Sequence, residues 1–266
     1  MDDLRGVRIG IIGAGAIGGA LIDRLLSGAG TRPTDIVACE PKEARREEIA
    51  QRYRVRVSAD PVEACAGDIV VLAAPPLEIK KIVQTLAPHV GHHPLVISFA
   101  GAVPIDLVEA TLPPGSPVVR VNPNSPLIVG AGFNPVAYGS SATGQARALA
   151  ERFLRVLGAS PVVPDMQMNL YTAITAVGPT YFLPVFDAMI AAGVDGGLSR
   201  QAAVAAAIET ARGCAQMVAT RTEHPEQLKL FTGLRPLQDA AVRDLVTKAI
   251  SEAAARMEAV QKQATS

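Results

Sequence analysis

The stretch Arg8-Ile9-Gly10-Ile11-Ile12-Gly13-Ala14-Gly15-Ala16-Ile17-Gly18-Gly19-Ala20 carries an apolar strand into a glycine-spaced turn and then into a helix rich in alanine and leucine. Gly13 suits the tight turn, Gly15 lets a pyrophosphate approach the backbone, and Gly18 lets the helix pack closely on the strand. The first helical N–H groups, those of Ala16 and Ile17 among them, have no partner within the helix and are available to an anion. Glycine-rich turns are common, so the spacing alone is weak. The strand before it, the helix after it and Glu40, closing a second strand about 20 residues beyond Gly18, make this a dinucleotide site.

Outward from that corner, strand and helix alternate. Asp35 to Glu40 reads as a strand, and Pro41, at a first helical position that tolerates proline, opens a charged helix carrying Lys42 to Arg52. Val55 to Val57 reads as a strand, Pro61 to Cys65 as a short helix, and Ile69 to Ala74 as the continuous apolar strand expected of a parallel sheet covered on both faces. Pro75-Pro76 stops it. A helix over Leu77 to Leu86, a strand over Leu95 to Phe99, a short helix over Pro104 to Ala110 and a strand over Pro117 to Val121 follow. This alternation specifies an α/β, doubly wound Rossmann sheet with its ligand over the carboxyl ends of the strands. From Met166 the strand signals cease, and alanine-rich helices over Thr180 to Ala192, Ser199 to Ala219 and Pro236 to Gln261 take over. Ser199 is suited to cap the second, and Val242, Leu245, Val246, Ala249 and Ile250 form one stripe on the third. The expected division is a dinucleotide-binding domain over 1–164 and an all-α domain over 165–266. The helices are too apolar to stand bare, so that domain is read as a homodimerisation element, with higher assembly left open.

Composition narrows the function. Lys and Arg number 25, as do Asp and Glu, and 49% of the 266 residues are hydrophobic. Such a chain can bury a core unaided and has no basic excess for nucleic acid, so a small-molecule substrate is the expected partner. Cys39, Cys65 and Cys214 are scattered and odd in number, which reads as buried thiols in a reducing compartment. The four histidines have no ligand spacing, so no metal site is expected. The N-terminus passes directly into the first strand and no apolar run reaches membrane-spanning length, which makes the cytoplasm the expected location.

Along its whole length the chain resembles the pyrroline-5-carboxylate reductases. The resemblance rests on the N-terminal fingerprint, Leu72-Ala73-Ala74-Pro75-Pro76, Ser98-Phe99-Ala100-Gly101 and Arg120-Val-Asn-Pro-Asn124-Ser-Pro126. In the helical half it rests on Gly178-Pro-Thr-Tyr181, Ala192-Gly-Val194 with Gly197-Leu-Ser-Arg200, and His224-Pro-Glu-Gln-Leu-Lys229. It implies a Rossmann domain and a helical domain that intertwines with a second subunit, with active sites drawing on both chains. It also implies cofactor contacts at Ala73, Ala74, Pro75 and Ala100.

The substrate half departs from the pattern. Where the family carries Ser-Pro-Gly-Gly-Thr-Thr to cradle a carboxylate and place a hydroxyl near the imine nitrogen, this chain has Thr232-Gly233-Leu-Arg235-Pro-Leu-Gln-Asp239. Pro236 has no N–H to give and Leu237 adds bulk. Thr232, Gly233 and Arg235 are the candidate substrate contacts, Arg235 either binding a carboxylate through two parallel bonds or lying on the surface. Asp239, in place of the hydroxyl, is a proton donor, a counter-ion for a cationic substrate or a helix-start carboxylate. Thr175 opens the segment that replaces the family's Ser-Gly-Ser and is the second candidate catalytic residue. Asn124 either touches substrate or nicotinamide, or holds its own turn.

Glu40 can accept from the adenosine ribose hydroxyls and repel a 2′-phosphate, favouring NADH within an NAD(P)H site, or can cap the next helix. Arg45 and Arg46 read as a solvated face with Glu47 and Glu48, or as a 2′-phosphate contact. His224 reads as structural. With no evident catalytic lysine or histidine, hydride transfer to a C=N bond fits best, since an imine can arrive already protonated. An NAD-dependent hydroxy-acid or carbonyl dehydrogenase and a non-catalytic nucleotide-binding protein are the alternatives.

Overall fold

The computed structural model describes residues 4–229, 232–234 and 236–265. Seven strands form one sheet: β1 (Ile9–Ile12), β2 (Ile36–Cys39), β3 (Arg56–Ser58), β4 (Ile69–Leu72), β5 (Leu95–Ser98), β6 (Val118–Val121) and β8 (Val136–Tyr138), in the order β3-β2-β1-β4-β5-β6-β8. All pairings are parallel except β6–β8. The order reverses between β1 and β4, with Ile9 opposite Ile36 on one side and Ile69 on the other. A doubly wound sheet takes its ligand at that reversal. Alternation along the strands sorts the two faces. Ile9, Ile11, Ile69 and Val71 join Leu21, Ile22 and Leu25 of helix α1 (Ala16–Gly28) and Phe153 and Leu157 of a later helix. Ile12, Val70 and Leu72 join Ile79, Val83 and Leu86 of helix α3 (Pro76–Leu86). Burial on both faces accounts for the continuous apolar runs.

Several boundaries move. Helix α2 is Glu43–Tyr53 with Lys42 at its cap, so Pro41 lies outside it. The guanidinium of Arg46 donates to the carbonyls of Glu40 and Pro41 and holds that turn off the helix. Pro76, not Leu77, opens α3, and α4 is Ile105–Thr111. The two-residue strands β7 (Gly132–Phe133) and β9 (Gly158–Ala159), antiparallel β8 and the amphipathic helix α5 (Gly144–Leu157) were not anticipated. The strands are too short for a period-2 pattern, and α5 mixes its buried residues with arginines.

The chain forms two compact units: residues up to Val177 with those from Ile250 onward make one, and Gly178–Ala249 the other. The first includes α6 (Met168–Tyr171), which runs directly into a π turn over Thr172–Ala176 closed by Val177 N–H to Thr172 O at 3.1 Å. In the second, α7 (Pro179–Asp195) packs on α8 (Arg200–Thr220) so closely that a Cβ on Gly193 would stand 3.0 Å from the Ala203 methyl. Ser199 caps α8, its hydroxyl accepting from Ala202 N–H at 3.1 Å. His224 caps the short helix α9 (Pro225–Leu228). The last helix, α10, is Asp239–Thr265, beginning later than Pro236.

Two expectations are corrected. Cys39 and Cys65 are buried free thiols, and burial pushes them up to about 12 and about 11, but Cys214 is exposed on α8. Taken as one helical run, Asp165–Asp195 is long and apolar enough to cross a membrane by length and composition, an 18-residue stretch of it reaching mean hydropathy 1.4. Its charges are Asp187 inside and Asp165 and Asp195 at the ends, and these with its uncharged polar residues break the apolar string, which hid the run from a reading for uninterrupted apolar stretches.

Candidate active site

The glycine corner is built by close backbone contacts. Gly13 follows β1 at φ +90°, a conformation that L side chains rarely adopt, and its N–H donates to Cys39 O at 2.8 Å. A Cβ there would lie 2.7 Å from Ala73 O, and one on Gly18 would lie 2.1 Å from Gly13 O. Gly15 is different: it caps α1, and a Cβ on it would meet nothing within 4 Å. The corner is therefore locked underneath and open above Gly15. With no side-chain cap and no acidic residue in its first turn, α1 leaves its N–H groups to an anion. These features fit a dinucleotide pyrophosphate.

Glu40 stands just past β2, 8% exposed. Its carboxylate accepts from Ala14 N–H and from Lys42 N–H, each at 3.2 Å. Both readings of Glu40 meet here, since it touches the start of α2 while facing the corner. Arg45, half-buried, donates through Nε to Ala14 O at 2.8 Å and pairs with Glu48. The Ala14 peptide is thus held at both ends. Neither Arg45 nor Arg46 forms a merely solvated face, because both guanidinium groups grip carbonyls in or beside this corner.

A cleft of about 820 Å³ opens over these groups. It brings together Gly13, Gly15, Glu40, Ala73, Ala74 and Pro75; Ala16, Ile17, Gly18 and Ala100 are not among its walls. Sequence reasoning missed its outer walls, Ala59 and Pro61 after β3 and Glu78, Lys81, Ile82 and Thr85 on α3. The α3 set falls at i, i+3, i+4 and i+7, a one-face spacing that could have been read once that helix was placed beside the corner.

Past β5 and β6 the polar groups are tied to one another. Asn124, 9% exposed, donates to Thr175 O at 3.1 Å and accepts from Phe133 N–H at 2.9 Å. The Thr175 hydroxyl donates to Tyr171 O at 2.8 Å. In the Gly178–Ala249 unit, Thr232 and Asp239 share a depression of about 250 Å³ with Lys229, Leu234, Pro236 and Leu237, and Gly233 is not among its walls. Asp239 begins α10 and pairs with Lys229 at 2.9 Å. That hydrogen bond, with a second to Glu226, holds the lysine above its ordinary value. Arg235 lies outside the described residues. Among the described residues no cluster of three or more His, Cys, Asp or Glu could hold a metal ion.

Over 227 residues the chain is 35% identical to the pyrroline-5-carboxylate reductase of Mycobacterium tuberculosis, covering 82% of this chain and 76% of that protein. The chain belongs to the pyrroline-5-carboxylate reductase family. The Synechocystis pyrroline-5-carboxylate reductase is 29% identical over 266 residues, 96% of this chain and 99% of that one. Residues 165–260 match the profile for pyrroline-5-carboxylate reductase dimerisation, and residues 8–101 that for NADP oxidoreductase, coenzyme F420-dependent. Among solved structures, the fold is that of the Plasmodium falciparum pyrroline carboxylate reductase with NADP bound, at TM-score 0.83 and 21% identity, covering 97% of this chain and 99% of that one. The Coxiella burnetii pyrroline-5-carboxylate reductase follows at TM-score 0.75 and 25% identity, covering 96% and 98%. The chain is thus an NAD(P)H-dependent oxidoreductase with a Rossmann sheet and a helical dimerisation domain. In this pyrroline-5-carboxylate reductase family member the dimerisation profile also covers Asp165–Asp195, the apolar run described above.

Proposed function

We propose that the protein reduces the C=N bond of a cyclic imine, 1-pyrroline-5-carboxylate or a close relative of it, using NADH. The relationship to the Mycobacterium tuberculosis enzyme over most of the chain carries the reading, joined to a cofactor corner that keeps its open glycine. A bound nicotinamide dinucleotide supplies the hydride. Gly13, Gly15 and the first turn of α1 hold its pyrophosphate, and Ala73, Ala74 and Pro75 form the wall beside it. At the carboxyl ends of β5 and β6 the polar side chains Asn122, Asn124, Thr172 and Thr175 are amides and hydroxyls. An alkoxide developing from a carbonyl demands a strong acid there, whereas an imine that arrives protonated needs only a polar surround.

The preference for NADH rests on Glu40. Two backbone donors fix its buried carboxylate at the cleft wall, where it suits ribose hydroxyls and repels a 2′-phosphate. Lys42 and Lys81 also line the cleft with opposite charge, but both are exposed and screened by solvent. Asp239 serves as a counter-charge at the substrate depression, with Thr232 beside it. The protein works as a homodimer: Phe182, Leu183, Val242 and Leu245 stand 44–70% exposed in the single chain and are suited to a subunit interface. Buried thiols at Cys39 and Cys65 suit a reducing cytoplasm.

The test is NADH oxidation against two panels. Consumption of NADH with cyclic imines, and none of NAD with 2- or 3-hydroxy acids, is expected. Turnover confined to hydroxy acids would establish the dehydrogenase alternative, and binding without any turnover the non-catalytic one.

A further inference from the structure

Three alternate residues of one strand and its continuation, Arg120, Asn122 and Asn124, each reach out to the segment that follows the sheet. Arg120 is 1% exposed; it pairs with Asp165 at 2.8 Å and donates its other terminal nitrogen to Gly101 O. Asn122 is 3% exposed and donates to the Thr172 hydroxyl, which itself donates to Met168 O at 2.8 Å. Asn124 donates to Thr175 O. Residues two apart on a strand share a face, so the three side chains form one polar seam.

The seam grips the π turn at both ends, at Thr172 and Thr175. π turns interrupt helices and recur at functional sites, and hydroxyls bonded back to the i−4 carbonyl bend a helix. Both threonines are bonded that way. The same seam grips the turn after β5. A Cβ on Gly101 would stand 3.0 Å from Asn122 Oδ1 and 3.5 Å from Thr172 Oγ1, so Ala100–Gly101, Asn122 and the π turn fit together without slack. Arg120 gains little stability from its place: burial holds it below its ordinary value against the opposing pull of Asp165, and its buried Nε–H meets no acceptor among the described residues. An ion pair that costs this much desolvation contributes chiefly the geometry it fixes.

The second mononucleotide half of a doubly wound sheet is β4, β5 and β6, and the ligand crosses their carboxyl ends. We propose that Asn122 is a positioning residue that, with Arg120 and Asn124, sets the Ala100–Gly101 turn and the π turn Thr172–Ala176 at the nicotinamide end of the cofactor. The proposal rests on the cofactor reading given above. The adenosine end, held by Gly13, Gly15 and Glu40 from other strands, is independent of the seam.

The seam can be broken from either side, by Asn122→Leu or by the near-isosteric Thr172→Val, while Thr172→Ser keeps the hydroxyl. Two readouts are compared: the emission of bound NADH, which reports the nicotinamide environment, and the affinity for ADP-ribose, which lacks the nicotinamide. Both broken variants are expected to alter the emission and to lower imine turnover by about 10- to 100-fold, the scale of a misplacement near 1 Å. ADP-ribose affinity should stay within about twofold, near 0.4 kcal/mol, and Thr172→Ser should restore emission and turnover. Unchanged emission in Thr172→Val, or equal loss of ADP-ribose affinity with no rescue by serine, overturns the proposal. Failure of the unsubstituted protein to bind ADP-ribose would instead overturn the cofactor reading and this proposal with it.

Discussion

At the residue scale, the proposed preference for NADH turns on Glu40, whose buried carboxylate lines the cleft. Its position at the end of β2 was legible because spacing from the glycine corner is enough to place it. Its contact with Lys42 at the start of α2 was one of the two readings offered, but the donor from Ala14 was not foreseen, because it comes from the glycine turn, which local propensity does not define. Glu40→Ser should weaken NADH and strengthen NADPH by removing the carboxylate that a 2′-phosphate must face. Paired titrations of the variant and the parent check this, and an unchanged preference ratio would show that Glu40 only braces the corner. Arg45 teaches the opposite lesson. On α2 it sits among charges that read as a helix face, yet its Nε holds Ala14 O, a tertiary contact with no trace in helical spacing.

At the element scale, the strand–turn–helix unit gives its glycines the different surroundings that the sequence reading assigned them. A side chain at Gly18 runs into the backbone of Gly13, whereas one at Gly15 enters open space. Gly18→Ala should therefore lower stability by about 1–3 kcal/mol through overpacking. Gly15→Val should leave thermal unfolding nearly unchanged and abolish cofactor binding. Denaturation and NADH titration of both variants check the pair; a Gly15→Val protein that still binds NADH would mean the pyrophosphate lies elsewhere. The parallel strands were legible because burial on both faces leaves long apolar runs such as Ile69 to Leu72. Antiparallel β8 and the π turn were not. The first is three residues long, and the second depends on Asn122 and Asn124 reaching it from some fifty residues earlier in the chain.

At the scale of the whole molecule, the chain belongs to the pyrroline-5-carboxylate reductase family, and the segment from Thr232 to Asp239 is where the sequence reading expects it to depart from the family pattern. That expectation rests on Pro236 and Leu237 standing where the resemblance implies glycines. The pairing of Asp239 with Lys229, ten positions earlier, was not legible, because sequence alone does not select that partner. The apolar faces of α7 and α10 were anticipated as an interface from composition, and they remain exposed in the isolated chain. The proposed chemistry is hydride transfer from a dinucleotide in the glycine corner to an imine carbon. Incubation with NADH deuterated at C4 and 1-pyrroline-5-carboxylate, followed by mass spectrometry of the product, tests it most directly. Proline carrying one deuterium at the former imine carbon is expected; tightly bound NADH that yields no deuterated product from this or any related cyclic imine would rule the transfer out.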